Sequence, residues 1–494
     1  MMKKNRKIKG LATDSIFLAF AKLMTTVISL AVSKILAIKF SLFEYGVYSQ
    51  IMLIASTATS FSILGLSDGV NYYYNNCFDL EQKKKNINTI FFMQTVAGSI
   101  CAVLILCFSN SITNYFKNPD LNGLYVYIAF MPIISNFLAM YQVLFVSVGK
   151  AKGIAIKNLI VSLIKLGIIT TVAFSINNIS IIVIASLITD VLQLFYFAIS
   201  FGISNFYVNP CAVDWKLIGK ILGYCLPLSF YILTSSLCRD IDKYVISFFA
   251  DTETLSVYTN AAKVLPFDML ASSLTVVMVP IVVKYITNNE YEKTKDIFRT
   301  YLSISYKTTW LVTFGVIICA KELMLFLYDE KYLAGLGVFI IYIVVDMIRF
   351  ANLSIILRAK NKTLQLALYS VGMLISNFVL NIILFKLCGI IGPAIATLVV
   401  TLGTNILMMV HAGKIIKAKI SQLLDFKDML ITICSMIFGG GIAMLIKLLC
   451  NAGSLHYLLT LIFSYGGYAI IVLLFNYKKI IQLLKHLNSF NINE

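Results

Sequence analysis

The chain is short of charge, and it lacks long polar stretches, paired cysteines and clustered histidines. Acidic and basic residues make up 13% of its 494 residues, about half the share in an ordinary soluble protein. A water-soluble globule is excluded. The longest polar gap, residues 67 to 86, has the length of a connecting loop, which leaves no room for a separate catalytic domain. The ten cysteines contain no CxxC pair, and His411, His456 and His486 are widely separated, so neither a disulfide framework nor a zinc site is indicated. The cysteines read as small apolar packers, and no metal or cofactor is expected.

What is present is apolar. Hydrophobic residues reach 59% and mean hydropathy is +0.86, enough for about fourteen spans of roughly 20 residues. Runs bounded by charge, Gly, Pro and Asn place spans near 14–36, 45–66, 87–108, 124–148, 154–175, 178–203 and 217–249. A second set lies near 253–285, 300–319, 335–357, 364–386, 389–413, 428–450 and 455–477. The basic start, Met1 to Lys7, resembles a signal-peptide n-region. The long apolar stretch after it carries Lys22 and Lys34, so it reads as a retained first helix.

The net charge of +18 is mostly a topology signal. Alternate loops are unequal: the amino-terminal tail, even-numbered loops and carboxyl tail hold 27 Lys and Arg, and the odd loops hold six. Positive charge is retained on the cytoplasmic side, so both termini are expected in the cytoplasm of a multi-pass cytoplasmic-membrane protein. Nucleic acid is not an expected partner.

Sliding the chain against itself by about 210 residues aligns Val47-Tyr48-Ser49 with Val257-Tyr258-Thr259, and Lys150-Ala151-Lys152 with Arg358-Ala359-Lys360. Asn75-Asn76 likewise meets Asn288-Asn289, and Ala185-Ser186-Leu187 meets Ala396-Thr397-Leu398. A repeat of six spans returns to the same side, so two parallel lobes related by a pseudo-twofold along the membrane normal are expected. The divisions are 1–209, 210–420, and 421–494 for two further helices and a tail. Pro132, Pro227, Pro266, Pro280 and Pro393 fall in spans, where bends are expected.

Thirteen charges lie inside the spans, eight of them cationic. Each costs roughly 2.5–3.5 kcal/mol at mid-depth if it faces lipid, so most must face one another or a wet cavity of net positive sign. Such a cavity favours an anion. Lys34 can snorkel at the outer end of span one. Arg239, Asp240, Asp242 and Lys243 can neutralise one another, and Asp346 and Arg349 stand three apart on one helix face. Lys22, Lys165 and Lys263 lack a carboxylate three or four residues away on their own helices. They are candidate anion ligands, or else they pair across helices with Asp190 or Asp268, which are alternatively coupling residues for protons or sodium. The 27 tyrosines read mainly as interfacial belts.

The chain resembles the polysaccharide flippase family, the O-antigen and exopolysaccharide exporters of the multidrug, oligosaccharidyl-lipid and polysaccharide exporter superfamily. The resemblance rests on Phe43-Glu44-Tyr45-Gly46-Val47-Tyr48, Leu64-Gly65-Leu66-Ser67-Asp68-Gly69 and Asp242-Lys243-Tyr244-Val245-Ile246. It rests further on Val257-Tyr258 with Ala261-Ala262-Lys263, and on Gly389-Ile390-Ile391-Gly392-Pro393-Ala394-Ile395-Ala396-Thr397. Leu42-Phe43 replaces the usual Gly-Pro, and Pro393 stands where a small residue is commoner. The resemblance implies an all-α polytopic membrane protein of about fourteen transmembrane helices, in two six-helix lobes plus two C-terminal helices, with a V-shaped cavity. It also implies a transporter rather than an enzyme, one that carries a polyprenyl-pyrophosphate-linked oligosaccharide from the cytoplasmic to the outer leaflet. Membrane lipid and other polysaccharide assembly proteins are the expected partners. Lys22 and Lys263, with Lys165 and Arg239, are the expected pyrophosphate ligands; Asp190, Asp268, Asp346 and Arg349 are the remaining cavity or coupling charges. A peptidoglycan-precursor flippase shares this fold and anionic cargo. A drug exporter of the superfamily would be suited by an acidic pocket, and a membrane polymerase or glycosyltransferase by a larger loop and an acid–base pair.

Overall fold

The computed structural model describes residues 2–203, 209, 212–263, 275, 278, 281–360 and 362–492, and all regular structure within them is helical. Two compact units are formed, Met1–Ser256 and Val257–Glu494. Among the described residues nine helical stretches are long and apolar enough to cross a membrane, or twelve if each of three bent pairs is one span. One stretch, Leu364–Ile415, contains two helices, and most of the span expected at 253–285 falls outside the described residues. The chain is an all-α, multi-pass membrane protein.

Unit one runs through α1 (Met2–Lys39), α2 (Leu42–Ser62), α3 (Leu66–Asn75), α4 (Leu80–Cys107), α5 (Ser109–Phe116) and α6 (Tyr125–Ser147). It continues through α7 (Ala151–Ser175), α8 (Ile179–Ile203) and α9 (Trp215–Phe249) into α10 (Thr252–Ala261). The Glu-Tyr-Gly motif has a physical reading here. Glu44 N–H donates to Ser41 Oγ at 3.2 Å while Ser41 N–H donates to Glu44 Oε2 at 2.9 Å, a reciprocal cap that starts α2. A Cβ on Gly46 would lie 2.2 Å from the Thr252 carbonyl, so only glycine admits the approach of α10.

The polar gap at 67–86 is not a loop. Its first part is α3, bent 42° from α2, and α4 begins at Leu80. Gly65, at φ 68°, makes the bend, and a Cβ there would meet the Cys225 carbonyl at 2.7 Å. Leu66 and Val70, one turn apart, are fully buried, with Tyr73 and Tyr74 packed against the same core, so these residues hold a segment whose other face is polar. α9 matches the span expected at 217–249 and bends by 46° between Pro227 and Ile232, whereas α6 carries Pro132 inside it. Pro266 lies outside the described residues, as does Pro280.

Unit two contains α11 (Tyr291–Ile318), α12 (Ala320–Leu327), α13 (Leu336–Ile348), α14 (Ile355–Ala359), α15 (Thr363–Cys388) and α16 (Gly392–Ile415). It ends with α17 (Ile420–Leu423), α18 (Phe426–Ala452) and α19 (Tyr457–Ile492). The Gly389-to-Thr397 motif is the corner between α15 and α16. Gly389 takes φ 61°, and a Cβ on Gly392 would fall 2.1 Å from the Leu384 carbonyl. Pro393 stands in the first turn of α16, where its missing N–H costs nothing and its fixed φ suits a helix start; it opens this helix instead of bending it.

A buried charge network joins α11, α18 and α19. The Lys307 ammonium, 1% exposed, lies 3.0 Å from Asp428 Oδ1 and donates to Thr432 Oγ1 at 2.8 Å and Asn476 Oδ1 at 3.1 Å. Tyr306 Oη donates to the other carboxylate oxygen at 2.6 Å, and Asn476 Nδ2 donates onward to Ser435 Oγ at 2.9 Å. Near the other ends of α11 and α18, Lys447 of α18 pairs with Glu322 of α12 at 2.9 Å and donates to the Ile318 carbonyl at 3.2 Å.

Asp428→Asn is expected to lower the stability of the purified protein by about 3–5 kcal/mol, because it strands a buried ammonium. The double variant Lys307→Met/Asp428→Leu should recover most of that loss, as read by thermal unfolding. A second prediction concerns Asp251, which accepts from Thr254 N–H at 2.8 Å at the start of α10. These hydrogen bonds from Thr254 hold its carboxyl below the usual value. The cap therefore stabilises fully above the unfolded carboxylate value near 4 and is lost as pH falls through the lower folded value. The destabilisation by Asp251→Ala should be constant between pH 6 and 8 and shrink below about pH 4.

Candidate functional site

Six helices of unit one, α1, α2 and α6 to α9, enclose a cavity of about 710 Å³. Each helix contributes a stripe at helical spacing: Thr25, Ile28, Ser29 and Val32 on α1, or Ser162, Lys165 and Ile169 on α7. The stripes are rich in hydroxyls, with seven serines and two threonines among the lining residues. Ser60 and Ser236 meet across α2 and α9 at 2.8 Å. Five of the nine hydroxyls, those of Thr25, Ser56, Thr59, Ser60 and Ser162, donate to carbonyls of their own helices and keep lone pairs that accept, so the wall suits a guest that brings hydroxyls of its own.

Four charged residues line this wall: Lys165, Asp190, Arg239 and Asp240. Lys165 Nζ lies 2.7 Å from Asp190 Oδ1, so of the two readings open for this lysine the structure shows the cross-helix pair. Asp190 Oδ1 also accepts from Gln193 Nε2 at 2.7 Å, and Gln193 Oε1 accepts from Lys157 Nζ at 2.8 Å. Lys157, counted from the sequence as a loop charge, is 8% exposed and lies over the Phe197 ring at 4.6 Å. Lys157 was not legible as part of the site because its partner lies on another helix, and Gln193 was not because an uncharged amide gives no charge signal. Asp240 pairs with Lys243 at 2.6 Å and receives a long contact from Ser56 Oγ at 3.5 Å. Arg239 is exposed to the cavity and has no hydrogen-bond or ion-pair partner among the described residues. Of the cluster expected to neutralise itself, Lys243 and Asp240 do so and Arg239 does not.

The other expected site residues lie elsewhere. Lys22 is exposed on α1, on the stripe of Thr25 and Ser29 but one turn beyond the cavity lining. Lys263 follows α10, half-buried, with its backbone N–H on the Asn260 carbonyl at 3.4 Å. Asp346 is buried in α13. Arg349, at the end of α13, sends Nη2 to Thr401 Oγ1 of α16 at 3.4 Å. Asp268 lies outside the described residues. Among the described residues no three His, Cys, Asp or Glu side chains converge to hold a metal.

The charge pattern makes a prediction that does not depend on cargo. Inorganic pyrophosphate, as a probe anion, should bind the purified protein about tenfold more weakly after Arg239→Gln. It should bind more tightly after Asp190→Asn, which releases Lys165 from its carboxylate. Titration calorimetry reads both signs, and equal affinities for all three proteins would remove the cavity from consideration.

Comparison with known proteins agrees with this architecture. No curated protein is significantly similar to the chain in sequence. Among solved structures, the lipid II flippase MurJ in an inward closed conformation is similar with a TM-score of 0.73 at 17% identity, covering 94% of this chain and 100% of that one. An inward-facing multidrug resistance MATE family transporter of the MOP superfamily is similar at 0.64 and 12% identity, covering 82% and 99%. A MOP superfamily transporter from Pyrococcus furiosus follows at 0.54 and 12% identity, covering 82% and 94%. At these identities the likeness establishes the fold. A family model described as "Polysaccharide biosynthesis protein" matches residues 35–336, more than half of the chain, and the chain belongs to that family, with the fold of the MOP superfamily transporters.

Proposed function

We propose that the chain is a flippase that carries a polyprenyl-pyrophosphate-linked oligosaccharide from the cytoplasmic to the outer leaflet of the cytoplasmic membrane by alternating access. In this reading both termini are cytoplasmic, residues 1–209 and 210–420 form the moving six-helix lobes, and 421–494 add two helices and a tail. The observation that carries it is the Arg239 guanidinium, partnerless among the described residues, in a hydroxyl-lined cavity that also holds Lys165. A pyrophosphate brings about two negative charges and several acceptor oxygens, which a guanidinium binds in bidentate fashion. Sugar hydroxyls are matched by the serine wall, while the polyprenyl chain stays in the bilayer. In this reading Lys22, one turn beyond the lining, meets the anion on entry, and Lys263 is a further lysine assigned to the cargo. Asp190 sets the threshold: an incoming phosphate competes with it for Lys165.

Support comes from the polysaccharide biosynthesis family and from likeness to a flippase of another lipid-linked cargo, lipid II. The four charges of the lining balance, Lys165 and Arg239 against Asp190 and Asp240, but both carboxylates are engaged by lysines while the guanidinium is not. In this reading the unpartnered guanidinium favours an anionic lipid cargo over a cationic drug.

The test is mass spectrometry of polyprenyl-pyrophosphate glycans in cells, separating lipid labelled from outside from lipid that is protected. Loss of the protein should accumulate the protected form. Arg239→Glu, inserted at normal levels, should cut flipping by about tenfold or more. An unchanged lipid pool in cells that make the glycan and lack a redundant flippase would sink the proposal.

A further inference from the structure

A second cavity, of about 580 Å³, opens in unit two at the turn that follows α16. Lys414, Lys417 and Lys419 line it together with the apolar Val410 and Ile420. Lys417 takes φ 54°, and the Ala418 N–H closes the turn on the Gly413 carbonyl at 2.8 Å. Glycine is the usual occupant of such a left-handed position after a helix, so a lysine there is held against backbone preference. Its ammonium lies 5.3 Å from the Tyr291 ring centre, and that of Lys360 lies 5.6 Å from the same centre.

Two cations thus converge on one ring, beside two more on the cavity wall, and neutralisation from within the protein is already spent. Glu290 and Glu292, which flank Tyr291, pair with Lys293 and Lys295, and Asp425 pairs with Arg299. Lys360, Lys414, Lys417 and Lys419 have no carboxylate partner among the described residues. Two turns before Lys414 on the same helix, Leu407 of α16 is 55% exposed, and in the first turns of α18 Phe426 and Leu430 are 54% and 62% exposed. A basic cavity with room for a phosphate group thus ends a helix, α16, whose exposed side is apolar at Leu407 and Val410.

We propose that this corner binds the phosphate headgroup of an anionic phospholipid, its acyl chains lying along α16 and α18. Placing it in the cytoplasmic leaflet rests on the orientation in the preceding reading; the binding itself does not. Basic pockets beside membrane helices favour such headgroups, gaining roughly fivefold per lysine at low salt. The apolar wall is what selects a lipid over free phosphate.

The experiment is native mass spectrometry of the full-length purified protein, incubated with phosphatidylglycerol and phosphatidylcholine of matched chains. Wild type is expected to retain phosphatidylglycerol preferentially, and Lys414→Gln/Lys417→Gln should lose about tenfold or more of that preference. Lys414→Arg/Lys417→Arg should keep it, which separates loss of charge from loss of fold. Equal retention by the Gln variant and wild type would overturn the site, and displacement of the lipid by millimolar inorganic phosphate would overturn the lipid as its occupant. Glycan-lipid flipping is read separately, so failure here and failure of the flippase reading are distinguishable.

Discussion

A charge inside a bilayer has to find a counter-charge or water, and much of this structure is arranged around that requirement. In unit one it brings α7 and α8 together through Lys165 and Asp190. In unit two it draws α18 and α19 onto α11 through Lys307 and Asp428, and α18 onto α12 through Lys447 and Glu322. Apolar packing cannot select these neighbours with the same force, since lipid is as good a solvent for leucine as another helix is. Hydrogen-bonded ion pairs can, because a wrong neighbour leaves an ammonium bare. The same rule gives Arg239 its meaning: a cation without a partner is stable only beside an aqueous cavity, and it is available to whatever anion enters.

The two kinds of buried lysine mark a division of labour. Lys307 is saturated, with a carboxylate, a hydroxyl and an amide oxygen around one ammonium, and has nothing left to offer a guest. Lys165 is held by one carboxylate oxygen that is shared with Gln193, and both partners of the pair remain partly exposed. The saturated lysine builds; the shared one can be competed for. Exposure and partner count separate the two roles where residue type cannot.

Much of the fold was legible in the sequence because the membrane writes it plainly. Shortage of charge named the class, and the expected span at 217–249 is α9, Trp215–Phe249. The motifs proved legible too, once Gly46, Gly65 and Gly392 were seen as places where another backbone comes too near for a Cβ. Hydropathy misled at Leu66–Asn75, where a polar surface hid a helix fixed by buried Leu66 and Val70, with Tyr73 and Tyr74 packed against the same core. The loop tally misled at Lys157, which it counted with the loops although the span expected at 154–175 contains it. The site itself was half legible: Lys165, Asp190 and Arg239 stood out as intramembrane charges, but their sorting into paired and partnerless needed partners on other helices. Spacing along one helix cannot show these, for Lys165 and Asp190 are 25 positions apart and Tyr306 and Asp428 are 122 apart.

That last separation has a consequence in time. Chains are made at about 5–20 residues per second, so Lys307 leaves the ribosome roughly 6–25 s before Asp428 exists to meet it. For that interval α11 is a nascent helix with a bare ammonium about three-fifths of the way along it, and its carboxylate arrives only with α18. Until α18 emerges, the ammonium needs water or another polar group as its neighbour. Joining of α11 to α18 is thereby tied to the arrival of a partner made 121 residues later.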